Sequence, residues 1–559
     1  MTFHRLHRQL GLVDQSGVEA LKIHLSGDAG MIVAMLAQIQ QMGACQVASG
    51  GHLTADLDLD SHLGKHIWQL PIESPSEWQD VIGALETEHG LGRTPVPESL
   101  HIHFRTRENW NDTPSILQVT VWNGRAVLSD FPLQFEHQPE LEPTLIDASI
   151  EVAACAVALQ QVLVQQGLIR STLATDRWLT LTVRVDGVPP EAAVDMFSSE
   201  LGPTTASHLP DGSGSILRVR VPLEHTPSEL LRLLQHPCSE PDTLIPNGWM
   251  SISPIPVKID HGIVDDKFPV PPSSIGSANV VVLGAGGLGS WAAPLFAKGI
   301  NGCNDHLTMT LIDGDDSVDE HNLNRQVLYT ERNVGFPKAT QAAKRLSQHF
   351  PTIPANDEGE YCDETGEGSA GVAKFYGIHS RLESNHVYEA EEVDGTETIS
   401  LDSLFDDGPD STSKEIKAAL DGMDVGLACL DNMNSRTLFN RACIDRDAIF
   451  VNGGGEAFEG LVEIFDSDIC MLCRYGEVSA RNREVISCQE IGTRPVASIV
   501  TTTAWTGAMQ AALALLALAE QRELFSANWH KGLDFSMGKV QSRLIGRLPW
   551  IQGDCKSHA

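Results

Sequence analysis

Apolar residues in the second half of the chain follow patterns that predict a nucleotide-binding α/β fold. The stretch VVVLGAGGLGS at 280–290 combines a short apolar run, typical of a buried strand, with a glycine turn and the start of a helix. A second run, LTMTLID at 307–313, ends on an acid that lies 24 residues after Gly289. An acid at this distance from a glycine turn normally binds a ribose hydroxyl. The glycines expected to let a nucleotide approach the backbone are Gly284, Gly286, Gly287 and Gly289.

The polar residues that follow these strands indicate ATP rather than a dinucleotide. The segment DGDDSVDEHNLNRQVLYTERNVGFPKA occupies 313–339, where a hydride-transfer domain needs little beyond its acid. Its cations suit phosphate groups and its carboxylates suit Mg²⁺. Another strand, within DVGLACLDNMNSR at 424–436, brings a further acid to the same edge of the sheet. The residues expected to bind ATP and Mg²⁺ are Asp313, Asp315, Asn322, Arg325, Gln326, Lys338 and Asp431.

Composition narrows the class of partner. The chain has 559 residues and a net charge of −35, which argues against nucleic acid as a partner. We expect no membrane span, because no apolar run reaches the roughly 18 residues required. The opening MTFHRLHRQL lacks the apolar core of a signal peptide. We therefore expect a cytoplasmic protein whose eleven cysteines serve as thiols, metal ligands or catalysts rather than as disulfides.

The order of the motifs resembles the family of ubiquitin-activating enzymes and their ThiF/MoeB-like relatives, which adenylate sulfur carriers for thiamine and molybdopterin synthesis. The motifs are GAGGLGS, then DGD with NLNRQ, then VGFPK, then a strand followed by DN and an arginine, and they cover 274–559. In that family a C-terminal Gly–Gly carboxylate attacks the α-phosphate of ATP and forms an acyl-adenylate. The resemblance implies that Asp313 binds the ribose and that Asp431 supports Mg²⁺ and positions the reacting groups. It implies that the phosphates are lined by Asn322, Arg325, Gln326 and Lys338.

Two cysteine motifs predict a zinc site. Cys470 and Cys473 form a CxxC pair, and the tail DCKSHA carries Cys555 and His558. Three thiolates and an imidazole suit tetrahedral Zn²⁺. The relatives use two CxxC pairs, so His558 departs from their pattern. The alternative is that the tail contributes no ligands and the site is lost.

A further cysteine, Cys488, lies in VISCQEIGTRPVASIV, where the resemblance implies a reactive thiol on a mobile segment that forms a thioester. The alternatives are a packed structural thiol at this position, or catalysis by Cys362, whose acidic neighbours disfavour the thiolate. Cys362 belongs to an acidic insertion at about 352–413, with a possible strand at 386–395. We interpret the insertion as a solvated loop, with an acidic docking surface as the alternative.

The first half, 1–265, is expected to be an inactive copy of the second. Its opening FHRLHRQLGL resembles the RYxRQLxL segment from which the family's enzymes send an arginine into a partner's ATP site, a role that would fall to Arg8 or Arg5. A plain amphipathic cap is the alternative. The following strand–turn–helix pattern has GDAG instead of GAGGLG. We therefore predict two Rossmann-like adenylation domains that form a pseudo-dimer within one chain, with a small α+β module at about 176–260 that docks a partner or completes the first domain's sheet.

The leading hypothesis is an enzyme that adenylates the C-terminal glycine of a ubiquitin-like protein and passes the protein to a conjugating enzyme. The residues expected to carry the chemistry are Cys488, Asp431, Arg325, Lys338 and Arg8. This arrangement resembles bacterial ubiquitin-like conjugation systems linked to phage defence. The alternatives are adenylation of a sulfur carrier without a thioester, a nucleotide-binding scaffold and, more distantly, a dehydrogenase.

Overall fold

The apolar runs of the chain become the strands of two α/β units in a computed structural model. The residues that the structure describes are 6, 9, 12–27, 29–43, 46–49, 100–105, 117–129, 133–135, 144–169, 178–186, 204–208, 214–222, 249–255, 257, 259–260, 263–264, 270–272, 275–301, 306–350, 373–387, 411–465, 470–473, 498–520, 531–536 and 539–544.

The helices found among these residues are α1 (Gln15–Glu19), α2 (Ala29–Met42), α3 (Asp147–Gln165), α4 (Gly289–Asn301), α5 (Lys338–His349), α6 (Ser384–Val387), α7 (Ser411–Asp421), α8 (Met433–Ile444) and α9 (Val500–Leu518), with 3-10 turns at Glu320–Asn322 and Glu331–Asn333. The strands are β1 (Lys22–Gly27), β2 (Gln46–Ser49), β3 (Leu100–Arg105), β4 (Leu117–Trp122), β5 (Arg125–Ser129), β6 (Gln134–Phe135), β7 (Trp178–Asp186), β8 (Thr204–His208), β9 (Gly214–Pro222), β10 (Trp249–Ser251), β11 (Ile259–Asp260), β12 (Ile263–Val264), β13 (Ala278–Leu283), β14 (Leu307–Asp313), β15 (Ala373–His379), β16 (Val425–Ala428), β17 (Ile449–Glu456), β18 (Glu459–Phe465), β19 (Lys531–Ser536) and β20 (Lys539–Leu544).

The second half is built on an eight-stranded sheet with the order β15-β14-β13-β16-β17-β18-β19-β20. The first five strands of this order run parallel and the last three continue antiparallel. The parallel strands end at one edge, so β13, β14 and β16 bring the glycine turn, Asp313 and the Asp431 segment together there. The predicted mixed α/β architecture with a parallel sheet is confirmed.

The first half contains a six-stranded sheet with the order β10-β5-β4-β3-β1-β2. Its strands β2, β1, β3 and β4 are parallel, and β5 and β10 are antiparallel. This is the order and sense of β14, β13, β16, β17, β18 and β19 in the second half. The connection between strand and helix differs, because β1 ends at Gly27 and α2 begins at Ala29, whereas Gly284–Leu288 separates β13 from α4. The turn expected at 27–30 is therefore shorter than the sequence indicates.

Two long apolar helices join the halves. Helix α3 packs on α9, which also packs on α4, β17 and β18. One cluster of buried apolar side chains includes Leu25 and Leu159 of the first half and Trp291 and Leu515 of the second. The hydroxyl of Thr501 donates a hydrogen bond of 2.7 Å to Oε1 of Gln160 within this interface. The two halves therefore share a core.

The expectation that no apolar segment is long enough to cross a membrane is wrong for one described helix. In α3, the segment Asp147–Val164 is long and apolar enough to cross a membrane, by length and composition only. Of that window, 78% is buried inside the protein, where α3 packs against α9 and α2. Its apolar character is therefore explained by a place in the core.

Two other segments differ from their sequence-based description. The acidic insertion contains strand β15, which pairs with β14 over its whole length, and Ser384–Val387 is helical where the pattern suggested a strand from 386. In the region of the predicted module, β7, β9 and β8 form a separate antiparallel sheet, whereas β10 pairs with β5 of the first sheet.

Candidate active site

The glycine turn is shaped by close backbone contacts. Gly284 has φ +97°, and a Cβ there would lie 2.7 Å from the carbonyl oxygen of Cys429 at the end of β16. A side chain at this position would be strained and would collide with backbone. A Cβ on Gly287 would lie 3.6 Å from Nε of Arg325, and one on Gly286 would lie 3.7 Å from Nε2 of Gln326. The turn is thus packed directly against the motif NLNRQ.

Asp313 fixes the turn from the end of β14. Its side chain is buried, and its two oxygens accept hydrogen bonds from the backbone amides of Ala285 (2.6 Å) and Asp315 (2.8 Å). Burial raises the pKa of Asp313, and the charge of Lys338 opposes that shift. The sequence predicts that Asp313 binds a ribose, and here it also holds the glycine turn in shape.

Lys338 begins α5 and forms an ion pair with Asp315 at the edge of the site. The side chain of Lys338 is only 6% exposed, whereas that of Asp315 is 32% exposed. The hydroxyl of Tyr329 donates to the carbonyl of Ala285 (2.7 Å) and lies 3.2 Å from that of Lys338. This buried tyrosine therefore links the glycine turn to the start of α5.

The motif NLNRQ is buried and hydrogen-bonded internally. Nε2 of Gln326 donates to Oδ1 of Asn322 at 2.7 Å. Nη1 of Arg325 donates to the carbonyl of His321 (3.0 Å) and to Oδ1 of Asn324 (2.8 Å). Within the part of the chain that the structure describes, Nδ2 of Asn322 and Oε1 of Gln326 are buried without a hydrogen-bond partner. Such atoms normally find partners, so they mark a place for a bound polar group.

Asp431 is exposed three residues beyond the end of β16. The preceding residue, Leu430, contacts the position of a Cβ on Gly284 at 3.2 Å. Arg436 donates from Nε (3.0 Å) and Nη2 to the carbonyl of Leu430 and thereby fixes the backbone beside the acid. The structure places Asp431 in the segment that borders the glycine turn, as the strand order requires.

The donor set fits ATP and Mg²⁺. The glycine turn leads into the start of α4, where backbone N–H groups can bind phosphate. Arg325 and Lys338 are buried cations that could offset the phosphate charge. The carboxylates of Asp315 and Asp431 are the oxygen ligands that Mg²⁺ prefers. These residues would hold the metal, which would neutralise phosphate charge.

The CxxC pair adopts a geometry that a metal can bridge. The sulfurs of Cys470 and Cys473 are 3.6 Å apart, and both side chains are buried. With metal–sulfur bonds of about 2.3 Å, two thiolates on a tetrahedral Zn²⁺ lie about 3.8 Å apart. In the described ranges no group of three or more potential ligands is present. Cys555 and His558 lie outside those ranges, so the zinc site stays a prediction.

Other predicted site residues also lie outside the described residues. These are Cys488, its competitor Cys362, and the two arginines Arg5 and Arg8. The neighbour of Arg8, Gln9, is described, and its Oε1 accepts a hydrogen bond of 3.4 Å from Nδ2 of Asn324. The opening segment of the first half therefore contacts the motif NLNRQ of the second half.

Sequence reasoning missed four residues of this site. Asn324 lies inside the motif NLNRQ and Gln9 lies next to Arg8, so their places in these motifs could have identified both residues from the sequence. Tyr329 and Trp291 read as ordinary core residues, yet the Trp291 indole donates to the carbonyl of Arg325 at 3.0 Å. Only the three-dimensional packing shows that these aromatic residues support the motif.

Comparisons with known proteins agree with the position of this site. A model of the ThiF family matches residues 272–362 and 397–545. The SAMP-activating enzyme E1 of Haloferax volcanii is 26% identical over 219 residues, which cover 39% of this chain and 60% of that protein. The molybdopterin-synthase adenylyltransferase of Escherichia coli is 25% identical over 252 residues, which cover 43% of this chain and 73% of that protein.

The chain spans less than two thirds of the length of the SAMP-activating enzyme. Solved structures include E. coli MccB with ATP, which has 19% identity and a TM-score of 0.31 and covers 50% of this chain and 66% of that one. The sequence match lies over the glycine turn, NLNRQ, and the Asp431 segment. The second half of this chain is therefore similar to the ThiF family over these residues.

Proposed function

We propose that this chain is an ATP-dependent enzyme that adenylates the C-terminal glycine of a ubiquitin-like protein. The observation that carries the proposal is the packing of the buried motif NLNRQ against the glycine turn. A Cβ on Gly287 would lie 3.6 Å from Nε of Arg325, and one on Gly286 would lie 3.7 Å from Nε2 of Gln326. The relatives' printed names, which include two adenylyltransferases, support the same reaction class.

In the first step, a carboxylate oxygen of the carrier's terminal glycine attacks the α-phosphorus of ATP. The bond from that phosphorus to the bridging oxygen breaks, and pyrophosphate leaves with the electron pair. Arg325 and Lys338 offset the charge that develops on the phosphate oxygens. Asp431, on its segment beside the turn, orients the reacting groups.

In the second step, the Cys488 thiolate attacks the carbonyl carbon of the acyl-adenylate, and AMP leaves. The resulting thioester is then exchanged onto the cysteine of a conjugating enzyme. The support is the resemblance of the segment around Cys488, together with the exclusion of two other thiols. Cys429 and Cys443 are buried, and burial raises the pKa of each.

Arg8 is proposed to reach the phosphates from the first half, which makes the two halves an internal pseudo-dimer. The contact of its neighbour Gln9 with Asn324 supports this role. Cys470 and Cys473, with Cys555 and His558, are proposed to bind a structural zinc. We also propose that the enzyme acts in the cytoplasm and, as the family resemblance implies, in phage defence.

A second candidate is adenylation of a sulfur carrier without a thioester. The relatives named as molybdopterin-synthase adenylyltransferase and as sulfur carrier protein ThiS adenylyltransferase favour it. The two candidates share the first step and differ at Cys488. A carrier product that ends as a thiocarboxylate, with no adduct on the enzyme, would favour the second.

ATP–pyrophosphate exchange with Gly-terminated candidate carriers tests the first step. We expect exchange with wild type and with Cys488→Ala, and a dithiothreitol-sensitive carrier adduct with wild type only. Cys362→Ala serves as the matched control and should retain both activities. A persistent adduct in Cys488→Ala would refute the thioester assignment.

The same assay tests the arginine from the first half. Arg8→Ala should weaken exchange, because an arginine supplied to phosphates can contribute about 10³-fold in analogous phosphoryl transfers. Arg5→Ala, at the other candidate position, shows which arginine acts. If both variants exchange at the wild-type rate, the opening segment supplies no arginine to the site.

A further inference from the structure

A chain of buried hydrogen bonds runs from the first half of the molecule to Arg325. Gln9 has no exposed side-chain area, and its Nε2 donates to the carbonyl of Met42 (2.6 Å) and to Oε1 of Gln15 (2.9 Å). Its Oε1 accepts from Nδ2 of Asn324 at 3.4 Å. Asn324 is equally buried, and its Oδ1 accepts from Nη1 of Arg325 at 2.8 Å.

The direction of each bond in this chain is determined by the one before it. A backbone carbonyl can only accept, so Met42 fixes which end of the Gln9 amide carries the nitrogen. The oxygen of Gln9 must then face Asn324, which can meet it only with its own nitrogen. Asn324 therefore presents its oxygen to Arg325, as a cationic donor requires.

This arrangement holds the guanidinium of Arg325 in one place. Its Nη1 is shared between Asn324 and the carbonyl of His321, and its Nε lies 3.6 Å from the position of a Cβ on Gly287. A long cationic side chain loses rotamer freedom when it binds a ligand. A guanidinium that is already fixed against the glycine turn loses less, so its phosphate contacts contribute more to affinity.

We propose that Gln9 is a positioning residue that sets the affinity of the site for the phosphates of ATP by acting through Asn324 on Arg325. This inference rests on the proposed ATP-dependent function. The first half then contributes to nucleotide binding through a buried amide, separately from any arginine that it supplies. The chemical group recognised is the polyphosphate, not the nucleoside.

The test measures binding of ATP with Mg²⁺ to the full chain by calorimetry. Gln9→Met keeps the side-chain length and removes the hydrogen bonds, and we expect the dissociation constant for ATP to rise by up to about tenfold, the upper size of one hydrogen bond between neutral groups. Adenosine, measured by competition, should bind equally to both proteins. Equal weakening of ATP and adenosine would overturn the inference, because it indicates a general structural defect.

Gln15→Met is the matched control, since it removes a bond to the same Gln9 nitrogen and leaves Asn324 untouched. ATP affinity should stay within about twofold of wild type. Asn324→Leu interrupts the chain from the other half, so the inference can be tested even where Gln9→Met fails to fold. It should weaken ATP as Gln9→Met does, and wild-type affinity in Asn324→Leu would overturn the inference.

A double-mutant cycle tests whether Gln9 acts through Arg325. Gln9→Met should have no further effect on ATP binding in an Arg325→Ala background. Additive effects would overturn the proposed route. Wild-type protein that fails to bind ATP would refute the proposed function, whereas wild-type binding that Gln9→Met leaves unchanged would refute this inference alone.

Discussion

The carboxylate of Asp313 stabilises the glycine turn in addition to its predicted role of binding a ribose. Its two oxygens hold backbone amides on either side of the site, one in the glycine turn and one in the segment that leads to Lys338. A carboxylate has about four acceptor positions, so it can also meet a ribose hydroxyl. The shape of the turn therefore depends on Asp313 even without nucleotide.

We expect Asp313→Ala to lower the free energy of unfolding by about 1–3 kcal/mol in the absence of ATP, because the buried amide of Ala285 and the partly buried amide of Asp315 lose their acceptor. Urea-induced unfolding measures this. Asp316→Ala is the control, since that side chain is 89% exposed, and it should change stability by less than about 0.5 kcal/mol. Equal stability of wild type and Asp313→Ala would show that the turn does not need this residue.

Cys429 lies beside the site but is unsuited to nucleophilic catalysis. Burial raises its pKa to about 12, although a hydrogen bond with Gln510 and the charge of Arg436 oppose the shift. At pH 8 only about one thiol in 10⁴ is then ionised, against about a quarter for an ordinary cysteine. Iodoacetamide at pH 8 should label Cys429 at least about 100-fold more slowly in the native protein than in urea, as mass spectrometry of its peptide can measure. Similar rates in both states would contradict the assigned burial.

For single residues, the sequence predicted which side chains lie together at the edge of the sheet, but not which of them form ion pairs or hydrogen bonds with one another. Asp313, Arg325 and Lys338 all lie at the predicted edge, because strand ends and motif spacing are properties of the chain itself. The pairing of Lys338 with Asp315, and of Asn324 with Gln9, depends on side-chain directions that only the packed structure fixes.

Helix α9 is buried along nearly its whole length and passes close to α4. A Cβ on Gly507 would lie 2.7 Å from the carbonyl oxygen of Leu288 and 2.7 Å from Cβ of Trp291. Both neighbours belong to the turn and helix that form the candidate nucleotide site. The glycine therefore permits a close helix contact that keeps the start of α4 in position.

Gly507→Ala should destabilise the protein by about 1–3 kcal/mol, because the methyl group forces α9 away from α4. ATP affinity should fall with it, since the displaced backbone carries the glycine turn. Gly422→Ala is the matched control, because its Cβ meets only the Ala418 carbonyl at 3.7 Å. Thermal unfolding and calorimetry measure both effects, and a Gly507→Ala protein with the stability of Gly422→Ala would contradict the close packing.

Elements differ in how far the sequence predicts them, for a physical reason. Helices α3 and α9 consist largely of apolar residues over 19 positions each, which is a strong pattern in the sequence. Strand β15 is an edge strand with only its first and sixth residues fully buried, and it lies in an acidic, glycine-rich segment. Because so few of its residues are buried, β15 has only a weak pattern of apolar and polar positions, and the acidic, glycine-rich sequence around it makes that pattern hard to recognise.

The two halves share one hydrophobic cluster, so the whole molecule is expected to unfold as a unit. Thr501→Val alone should cost about 1–3 kcal/mol, because Gln160 then has a buried oxygen without its donor. The double variant Thr501→Val/Gln160→Leu should recover much of this loss. Hydrogen exchange in urea checks both points, since protection of β4 and of β13 should disappear at the same concentration. Separate transitions would show that the halves are independent.

The sequence pattern predicted that the first half is a copy of the second, and the strand topology of the structure shows how far the two sheets agree. The sequence indicates a repeated strand–turn–helix unit, and the structure shows the same order and sense of six strands in both sheets. The contact of Gln9 with Asn324 joins residues 315 positions apart, so it depends on how the halves dock. No local pattern carries that information.

The short connection between β1 and α2 has a consequence for stoichiometry. One residue separates Gly27 from Ala29, whereas five residues, Gly284–Leu288, form the turn of the second half. A connection of one residue leaves too few backbone amides to surround a phosphate chain. Titration of the chain with ATP should therefore saturate at one equivalent, along a simple hyperbola. Among the described residues only the second half then has a turn of this length, so the two halves of one chain are not expected to act as two equivalent, cooperating ATP sites.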